Sequence, residues 1–304
     1  MTFELLILGC GAATPTSRHN PSAQLLNVHD KLFLIDCGEG TQMQLRKYKV
    51  RFQKIDHIFI SHLHGDHYLG LLGLISSMHL LGRQSDLYIY GPPDLQELVE
   101  INLKYSETYL SFKIHYQSLQ NKHSEIIFED KTLTVETIPL KHRIPCTGFL
   151  FREKQRPLKV IKEKISEYKL TPSQILLLKK GENVILNNQY ELRISEACIF
   201  PPAPRSYAYC SDTCYYEKLV EVIRGVNLLY HESTFLETEK ERAKTTFHST
   251  AKQAASIAKQ AEAKNLLLGH YSSRYMDDLG FLAEASEIFD EVRISKEGDR
   301  FEII

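Results

Sequence analysis

The chain opens on short apolar segments separated by polar turns. Residues 3–8, 23–28 and 31–36 read as strands, the last two as a hairpin turning at His29–Asp30. Residues 41–48 have helical spacing, and 55–60 form another strand pattern. The stretch from Asp66 to about Leu81 is apolar on most sides, which predicts a largely buried helix. Residues 87–90 read as a strand before the break at Gly91-Pro92-Pro93, and Asp94 begins a helix running to about Ser106. Residues 112–140 hold two or three strands. The last third repeats the alternation. Strands are expected at 207–211, 227–230, 265–268 and 292–295, and helices at 216–223, 250–263 and 279–290. Strands mixed with helices over both halves predict a layered α/β architecture.

Length and composition narrow this only a little. The 304 residues allow one large domain or two ordinary ones. A net charge of −1 argues against a wholly basic nucleic-acid binder and leaves room for a local basic patch. Hydrophobic residues at 43% and charged residues at 25% exclude global disorder. No stretch approaches the 18 or so apolar residues of a transmembrane helix, so no membrane association is expected. Residues 1–16 carry Glu4 and no basic flank, and read as a strand rather than a signal peptide. Cys10, Cys37, Cys146, Cys198, Cys210 and Cys214 form no CxxC pair and no disulfide framework. They read as reduced thiols of a cytoplasmic protein.

Charge is distributed unevenly. Residues 152–193 hold ten basic and five acidic side chains, a net +5, which leaves −6 for the rest. A basic block inside an acidic protein suggests an inserted arm that meets a polyanion. The alternative is a solvated helix pair with ordinary lysine decoration.

The strongest chemical signal is Ser61-His62-Leu63-His64-Gly65-Asp66-His67, directly after a predicted strand. In extended chain His62 and His64 point the same way and can chelate one metal. Gly65 lets the chain turn, so that Asp66 and His67 project from another direction, towards a second metal. Imidazole and carboxylate suit Zn²⁺ or Mn²⁺. Four ligands cannot complete two centres. His142, Asp212 and His270 each stand at a predicted strand end, where ligands from one sheet edge can converge. Singly, each has a plainer explanation: a hydrogen-bonded surface histidine, or Asp212-Thr213 capping a helix.

HLHGDH followed by isolated His, Asp and His resembles the metallo-β-lactamase-like hydrolase superfamily. Within it the chain resembles the ribonuclease Z family of tRNA 3′-processing endonucleases. The segments that carry this are Leu8-Gly9 through Asn20, Ile35-Asp36-Cys37-Gly38-Glu39-Gly40-Thr41-Gln42, Pro201 to Thr213, His231-Glu232-Ser233-Thr234, His248-Ser249-Thr250-Ala251 and Gly269-His270-Tyr271-Ser272-Ser273-Arg274-Tyr275. The resemblance implies a single αββα sandwich over residues 1–304, with residues 152–193 as an inserted arm that grips tRNA. It implies two Zn²⁺, with Mn²⁺ as the alternative, and no organic cofactor. One metal would take His62, His64, His142 and Asp212, the other Asp66, His67, His270 and the same Asp212, with a water or hydroxide between. One departure is the glycine-free stretch from Leu170 to Lys180, where the family often carries a Gly/Pro-rich turn.

The same resemblance implies the chemistry. Precursor tRNA would lose its 3′ trailer, keeping a 3′-OH while the trailer carries a 5′-phosphate. Asp66 is the expected general base, unless it only ligates, since a carboxylate on a cation is a weak base. His248 is the expected acid for the leaving 3′-oxygen, because a histidine titrates near working pH. Glu232 would orient it and raise its pKa, and His231 would support that network. Ser249 and Thr250 sit where a helix begins, to hold a phosphate or merely to cap the helix. Thr14, Thr16 and Arg274 are candidate RNA contacts. Relatives are homodimers in which the arm of one subunit serves the other's cleft. Two other functions fit the residues less well. A small-molecule phosphodiesterase or lactonase explains the seven ligands but gives no use for the arm. A non-catalytic RNA-binding protein would be expected to have lost ligands.

Overall fold

The computed structural model describes residues 2–187 and 189–304. Along the chain come β1 (Phe3–Gly9), β2 (Ala23–Val28), β3 (Lys31–Ile35), α1 (Thr41–Lys47), β4 (Ile55–Phe59), α2 (Gly65–Tyr68), α3 (Gly70–Leu80), β5 (Leu87–Gly91) and α4 (Leu95–Tyr105). Then follow β6 (Ile114–Ser118), β7 (Ile126–Glu129), β8 (Leu133–Leu140) and β9 (Cys146–Glu153). After β9 the chain forms β10 (Lys159–Val160), α5 (Lys162–Glu167), α6 (Pro172–Lys180), β11 (Val184–Ile185), β12 (Glu191–Leu192), α7 (Ile194–Ala197) and β13 (Cys198–Ile199). It closes with β14 (Ser206–Cys210), α8 (Leu219–Val222), β15 (Leu228–Glu232), α9 (Lys240–Thr246), α10 (Ala251–Gln260), β16 (Leu266–Gly269), α11 (Leu279–Ser286), β17 (Val292–Ile294) and β18 (Arg300–Glu302).

Two compact units result. The larger comprises residues 1–128, 135–151 and 205–304, and the smaller 129–134 and 152–204. The larger is built on two seven-stranded sheets, ordered β18-β1-β2-β3-β4-β5-β6 and β17-β16-β15-β14-β9-β8-β7. Their facing sides interlock through aromatic rings. Phe33 and Phe59 of the first sheet meet Phe128, Phe149 and Phe151 of the second, at centroid distances of 5.3–5.7 Å. Leu45 of α1, Leu71, Leu74, Ile75 and Met78 of α3 and Val99 of α4 cover the outer side of the first sheet. Helices α10 and α11 lie on the second. This is the expected αββα layering.

Parallel pairing explains the apolar runs and places the site. β14, β15 and β16 are buried at every position, as befits strands covered on both faces. They run parallel with Cys210 opposite His231 and Glu232 opposite Gly269, so Asp212, Glu232 and His270 emerge at one edge. β4 is parallel to β3 and β5, and delivers Ser61 and His62 at its carboxyl end. Close backbone approach then fixes α2 and α3. A Cβ on Gly70 would stand 2.1 Å from the Gly38 carbonyl oxygen, and one on Gly38 would stand 2.4 Å from that of Asp66. Neither position tolerates a side chain without moving backbone.

Three expectations change. The single buried helix over 66–81 is two, α2 and α3, and only one face is buried, with Leu69, Leu80 and Leu81 exposed. A helix on a sheet buries one stripe, and here the apolar sequence exceeds it. The helix over 216–223 contracts to α8, because residues 216–218 form tight turns, with Leu219 N–H to Tyr216 O at 3.1 Å and Val220 N–H to Glu217 O at 3.0 Å. Strands β9 and β18 had no counterpart in the sequence pattern.

The smaller unit has its own apolar cluster of Val160, Leu170, Leu178, Val184, Leu192, Ala197 and Cys198. The glycine-free stretch folds as α6. Thr171 and Gln174 form a reciprocal capping box, Pro172 opens the first turn and left-handed Gly181 closes the last. Without glycine, nothing interrupts that helix.

Arg83 fastens the entry to β4. Its guanidinium is buried and donates to the carbonyls of Gln53, Ile55, Ser85 and Asp86 and to Asp56, at 2.6–3.0 Å. Arg83→Met should lower the unfolding free energy in urea by roughly 3 kcal/mol, since several buried acceptors lose their donors together.

Candidate metal centre

The site grows from the carboxyl ends of β4, β14, β15 and β16. His62 and His64 lie in extended chain after β4, and their Nε2 and Nδ1 atoms come within 3.0 Å. His142, from the loop after β8, brings Nε2 within 3.2 Å of the same His64 Nδ1. The two histidines of the HLH motif therefore share a side, as their spacing predicts. The chain turns at Gly65 into α2, where Asp66 and His67 face His270. Asp66 Oδ2 lies 3.4 Å from both His67 Nε2 and His270 Nε2.

Asp212 stands between the two sets. Its Oδ1 is 3.1 Å from His270 Nε2 and 3.4 Å from His67 Nε2. Its Oδ2 is 3.6 Å from His62 Nε2 and 3.8 Å from His142 Nε2. One carboxylate thus offers one oxygen to each histidine set. His62, His64, His142 and Asp212 form one group able to hold a cation, and Asp66, His67 and His270 another.

The donor set fits divalent cations. Ligands about 2.0–2.1 Å from one zinc at tetrahedral angles lie about 3.3 Å apart, the middle of the distances found here. His67 Nε2 and His270 Nε2 are buried yet make no hydrogen bond, because the nearby carboxylates lie out of line. Electrostatics agrees. Burial holds His62 and His142 below the ordinary histidine value, as imidazoles with a lone pair to give. Burial would lower His67 too, but Asp66, Asp212 and Asp36 drive it well above. Three carboxylates around one ring make a place for positive charge.

Neighbouring residues hold these rings. Asp36 is fully buried and accepts from Ser61 N–H at 2.7 Å, Ser61 Oγ at 2.9 Å, Tyr209 OH at 2.6 Å and His67 Nδ1 at 2.7 Å. That last bond leaves His67 Nε2 to face the centre. Glu232 accepts from His248 Nδ1 at 2.8 Å, Thr213 N–H at 3.1 Å, Thr234 N–H at 3.0 Å and Thr234 Oγ1 at 2.8 Å. Thr234 Oγ1 is also 2.8 Å from His270 Nδ1. Ala13 N–H donates to Asp66 Oδ2 at 2.8 Å. Asp36 and Thr234 entered the sequence analysis only inside motifs. The signal for Asp36 is a carboxylate directly after the apolar run Leu32–Ile35.

The remaining expectations divide. His248 and Glu232 meet as a pair. His231 is fully buried, its Nδ1 donating to the Glu232 carbonyl at 2.7 Å, and does not line the cleft. Ser249 Oγ donates to Thr213 O at 2.7 Å, and Thr250 caps α10 with Gln253, so both hydroxyls serve structure. The centre opens into a cleft of about 680 Å³ whose wall includes Thr14, His248, Arg143, Arg242 and Arg274. Thr16 is not among its lining residues.

Comparison with known proteins now has a site to refer to. The chain is 50% identical to a ribonuclease Z of Cytophaga hutchinsonii, over 99% of this chain and 96% of that protein. It is 48% identical to a ribonuclease Z of Bacteroides thetaiotaomicron, over 97% and 93%. The chain belongs to the ribonuclease Z family. It is therefore an endoribonuclease, a hydrolase of phosphodiester bonds. Human tRNase Z, short form, superposes with a TM-score of 0.73 at 27% identity, over 99% of each chain. The metallo-β-lactamase fold protein YhfI of Bacillus subtilis gives 0.69 at 20% identity, over 99% of this chain and all of that one. The sandwich is thus the metallo-β-lactamase fold. Residues 3–158 also match the family described as Anti-Pycsar protein Apyc1, so the N-terminal half carries that family's pattern. No helix among the described residues is long and apolar enough to cross a membrane.

The family's His-Ser-Thr segment carries a measurable pKa. Burial would lower His248, but the charge and hydrogen bond of Glu232 raise it to about 9. The stability this pair adds is complete below the ordinary value near 6.5 and is lost as pH rises through about 9. In chelator-treated protein, NMR titration of the His248 ring should give a midpoint near 9. In Glu232→Gln it should fall well below that value, because burial is then opposed only by the more distant charges of Asp212 and Asp66.

Proposed function

We propose that this protein removes the 3′ trailer from precursor tRNA, leaving a 3′-OH on the tRNA and a 5′-phosphate on the trailer. The observation that carries this is Asp212 shared between two histidine sets, beside the His248–Glu232 pair, in a chain whose relatives are ribonuclease Z along nearly their whole length. His62, His64, His142 and Asp212 would hold one Zn²⁺, and Asp66, His67, His270 and Asp212 a second, with Mn²⁺ as the alternative. Such cations supply charge relief at phosphorus and nucleophilic water at neutral pH.

The chain's own residues do the rest. His248 is protonated at neutral pH, and Glu232 holds its Nδ1. Nε2 is then the nitrogen left to give a proton to the leaving 3′-oxygen. Glu232 keeps the ring turned towards the cleft, and His231 supports the strand end that carries Glu232. Asp66 is better suited to ligation than to base catalysis. Burial would raise its carboxyl, but His67 and His270 hold it far below the usual carboxylate range, which makes it a weak proton acceptor. Arg143, Arg242 and Arg274 line the cleft where a polyanion's phosphates would pass. The protein would act as a cytoplasmic homodimer, with the basic insertion of 152–193 holding the tRNA body by shape and charge.

A 5′-labelled precursor tRNA with Zn²⁺ or Mn²⁺ should be cut once, after the discriminator base. Asp66→Ala should remove the cut and lower the bound metal. Intact RNA beside hydrolysis of a small phosphodiester would replace this proposal with a small-molecule hydrolase.

In the insertion, Lys159 and Lys162 are exposed, and Lys164 pairs with Glu167 at 2.8 Å. Replacing all three with alanine should raise KM for precursor tRNA and flatten its salt dependence. Hydrolysis of bis-p-nitrophenyl phosphate should be unchanged. Equal loss on both substrates would remove the insertion from substrate binding.

A further inference from the structure

A second group of ligand-type side chains converges away from the catalytic cleft. Cys10 follows β1, His19 lies in the loop before β2, and Glu297 sits in the turn between β17 and β18. Cys10 Sγ is 3.4 Å from His19 Nδ1. One ligand atom from each of Cys10, His19 and Glu297 lies within 4.8 Å of the others.

The surroundings orient the group. His19 Nε2 is 3.2 Å from Asp278 Oδ1 and 3.1 Å from Oδ2. A carboxylate can only accept, so Nε2 carries the hydrogen, and the Nδ1 edge of the ring faces the sulfur. A carboxylate behind a histidine is the arrangement that fixes metal-bound imidazoles. Glu297 Oε2 accepts from Asn20 Nδ2 at 2.9 Å, and its other oxygen from Asn20 N–H, so each keeps a free lone pair. Cys10 is fully buried, with Sγ 3.6 Å from the Ser295 carbonyl. Ser295 Oγ is buried there without a hydrogen-bond partner. Hydrogen bonding accounts for the His19–Asp278 pair. The single S–H hydrogen of Cys10 can serve His19 Nδ1 or the Ser295 carbonyl but not both, and no hydrogen bond joins Glu297 to either ligand-type neighbour among the bonds described.

We propose that Cys10, His19 and Glu297 form a metal site of their own, for Zn²⁺. Zn–S of about 2.3 Å and Zn–N of about 2.0–2.1 Å at a tetrahedral angle place sulfur and nitrogen about 3.6 Å apart, close to the separation present. Thiolate and imidazole together favour Zn²⁺ over Mn²⁺ or Mg²⁺. On binding, the Cys10 S–H bond breaks, its proton goes to solvent, and the sulfur lone pair forms the S–Zn bond. Nothing is oxidised. The ion ties the end of β1, the loop of residues 11–20 and the turn after β17. That loop carries the Ala13 N–H that donates to Asp66, so the site steadies one wall of the cleft.

Cobalt substitution tests this without reference to activity. The ligands assigned to the catalytic centre are all nitrogen and oxygen, so a thiolate-to-cobalt charge-transfer band reports the new site, however many ions the cleft takes. The protein loaded with Co²⁺ should show this near-ultraviolet band. Cys10→Ala and His19→Gln should each bind one equivalent fewer, Cys10→Ala without the band and His19→Gln with the band weakened or gone. Cys146→Ala, which removes the thiol 3.5 Å from His62 Nδ1, should keep it. Absence of the band from the native protein at saturating Co²⁺ overturns the proposal. So does a band that survives Cys10→Ala and disappears in Cys146→Ala. Should Cys10→Ala fail to fold, His19→Gln and the native spectrum still decide.

Discussion

One buried carboxylate organises the centre. Asp36 directly follows β3 and accepts four hydrogen bonds, from Ser61 backbone and side chain, Tyr209 and His67. These partners come from both sheets, so the bonds that orient His67 also hold the two layers in register. A buried charge is tolerable only when its lone pairs are occupied, and each bond here is short. With Asp36 in place, the end of β4 is pinned, His62 follows from it, and α2 is brought up through the Cys37 N–H bond to the His67 carbonyl. The arrangement of Asp66, His67 and Asp212 depends on that chain of contacts.

Carboxylate placement divides the histidines into two kinds. His62 and His142 are buried with modest help from acids, and stay neutral. His67 and His248 face carboxylates closely enough to overcome burial. For His248 the main partner is Glu232, held by Thr213 and Thr234 so that it cannot turn away, with Asp212 and Asp66 adding to its effect. A lone-pair donor and a proton donor thus arise from one residue type within a single cleft.

Much of this was legible in the sequence, for identifiable reasons. The HLHGDH segment announces itself because ligands two and five residues apart are rare by chance and follow an apolar strand. His142, Asp212 and His270 were found through strand ends, and parallel pairing of β14, β15 and β16 is why strand ends share an edge. Asp36 was not recognised as a supporting residue, because second-rank contacts leave no spacing signature. Strand β9 leaves no alternation of apolar and polar positions, because both of its faces are buried. The apolar run over 66–81 predicts one long buried helix, since composition does not show where backbone contact at Gly70 restarts the helix. Ser249 and Thr250 look like phosphate ligands in one dimension, and bond to Thr213 and Gln253 in three.

The centre draws on residues from Asp36 to His270, contributed by strand ends of both sheets. No contiguous fragment carries it. The half that matches the Apyc1 family, residues 3–158, contains His62, His64, Asp66, His67 and His142 but neither Asp212 nor His270. Contacts between residues so distant along the chain carry the closure entropy of long loops, which only the packed sandwich repays. Competence for chemistry therefore arrives all at once, with closure of the sandwich. A nascent chain or a partly folded one holds scattered histidines and no catalyst, so RNA is not exposed to a half-built nuclease.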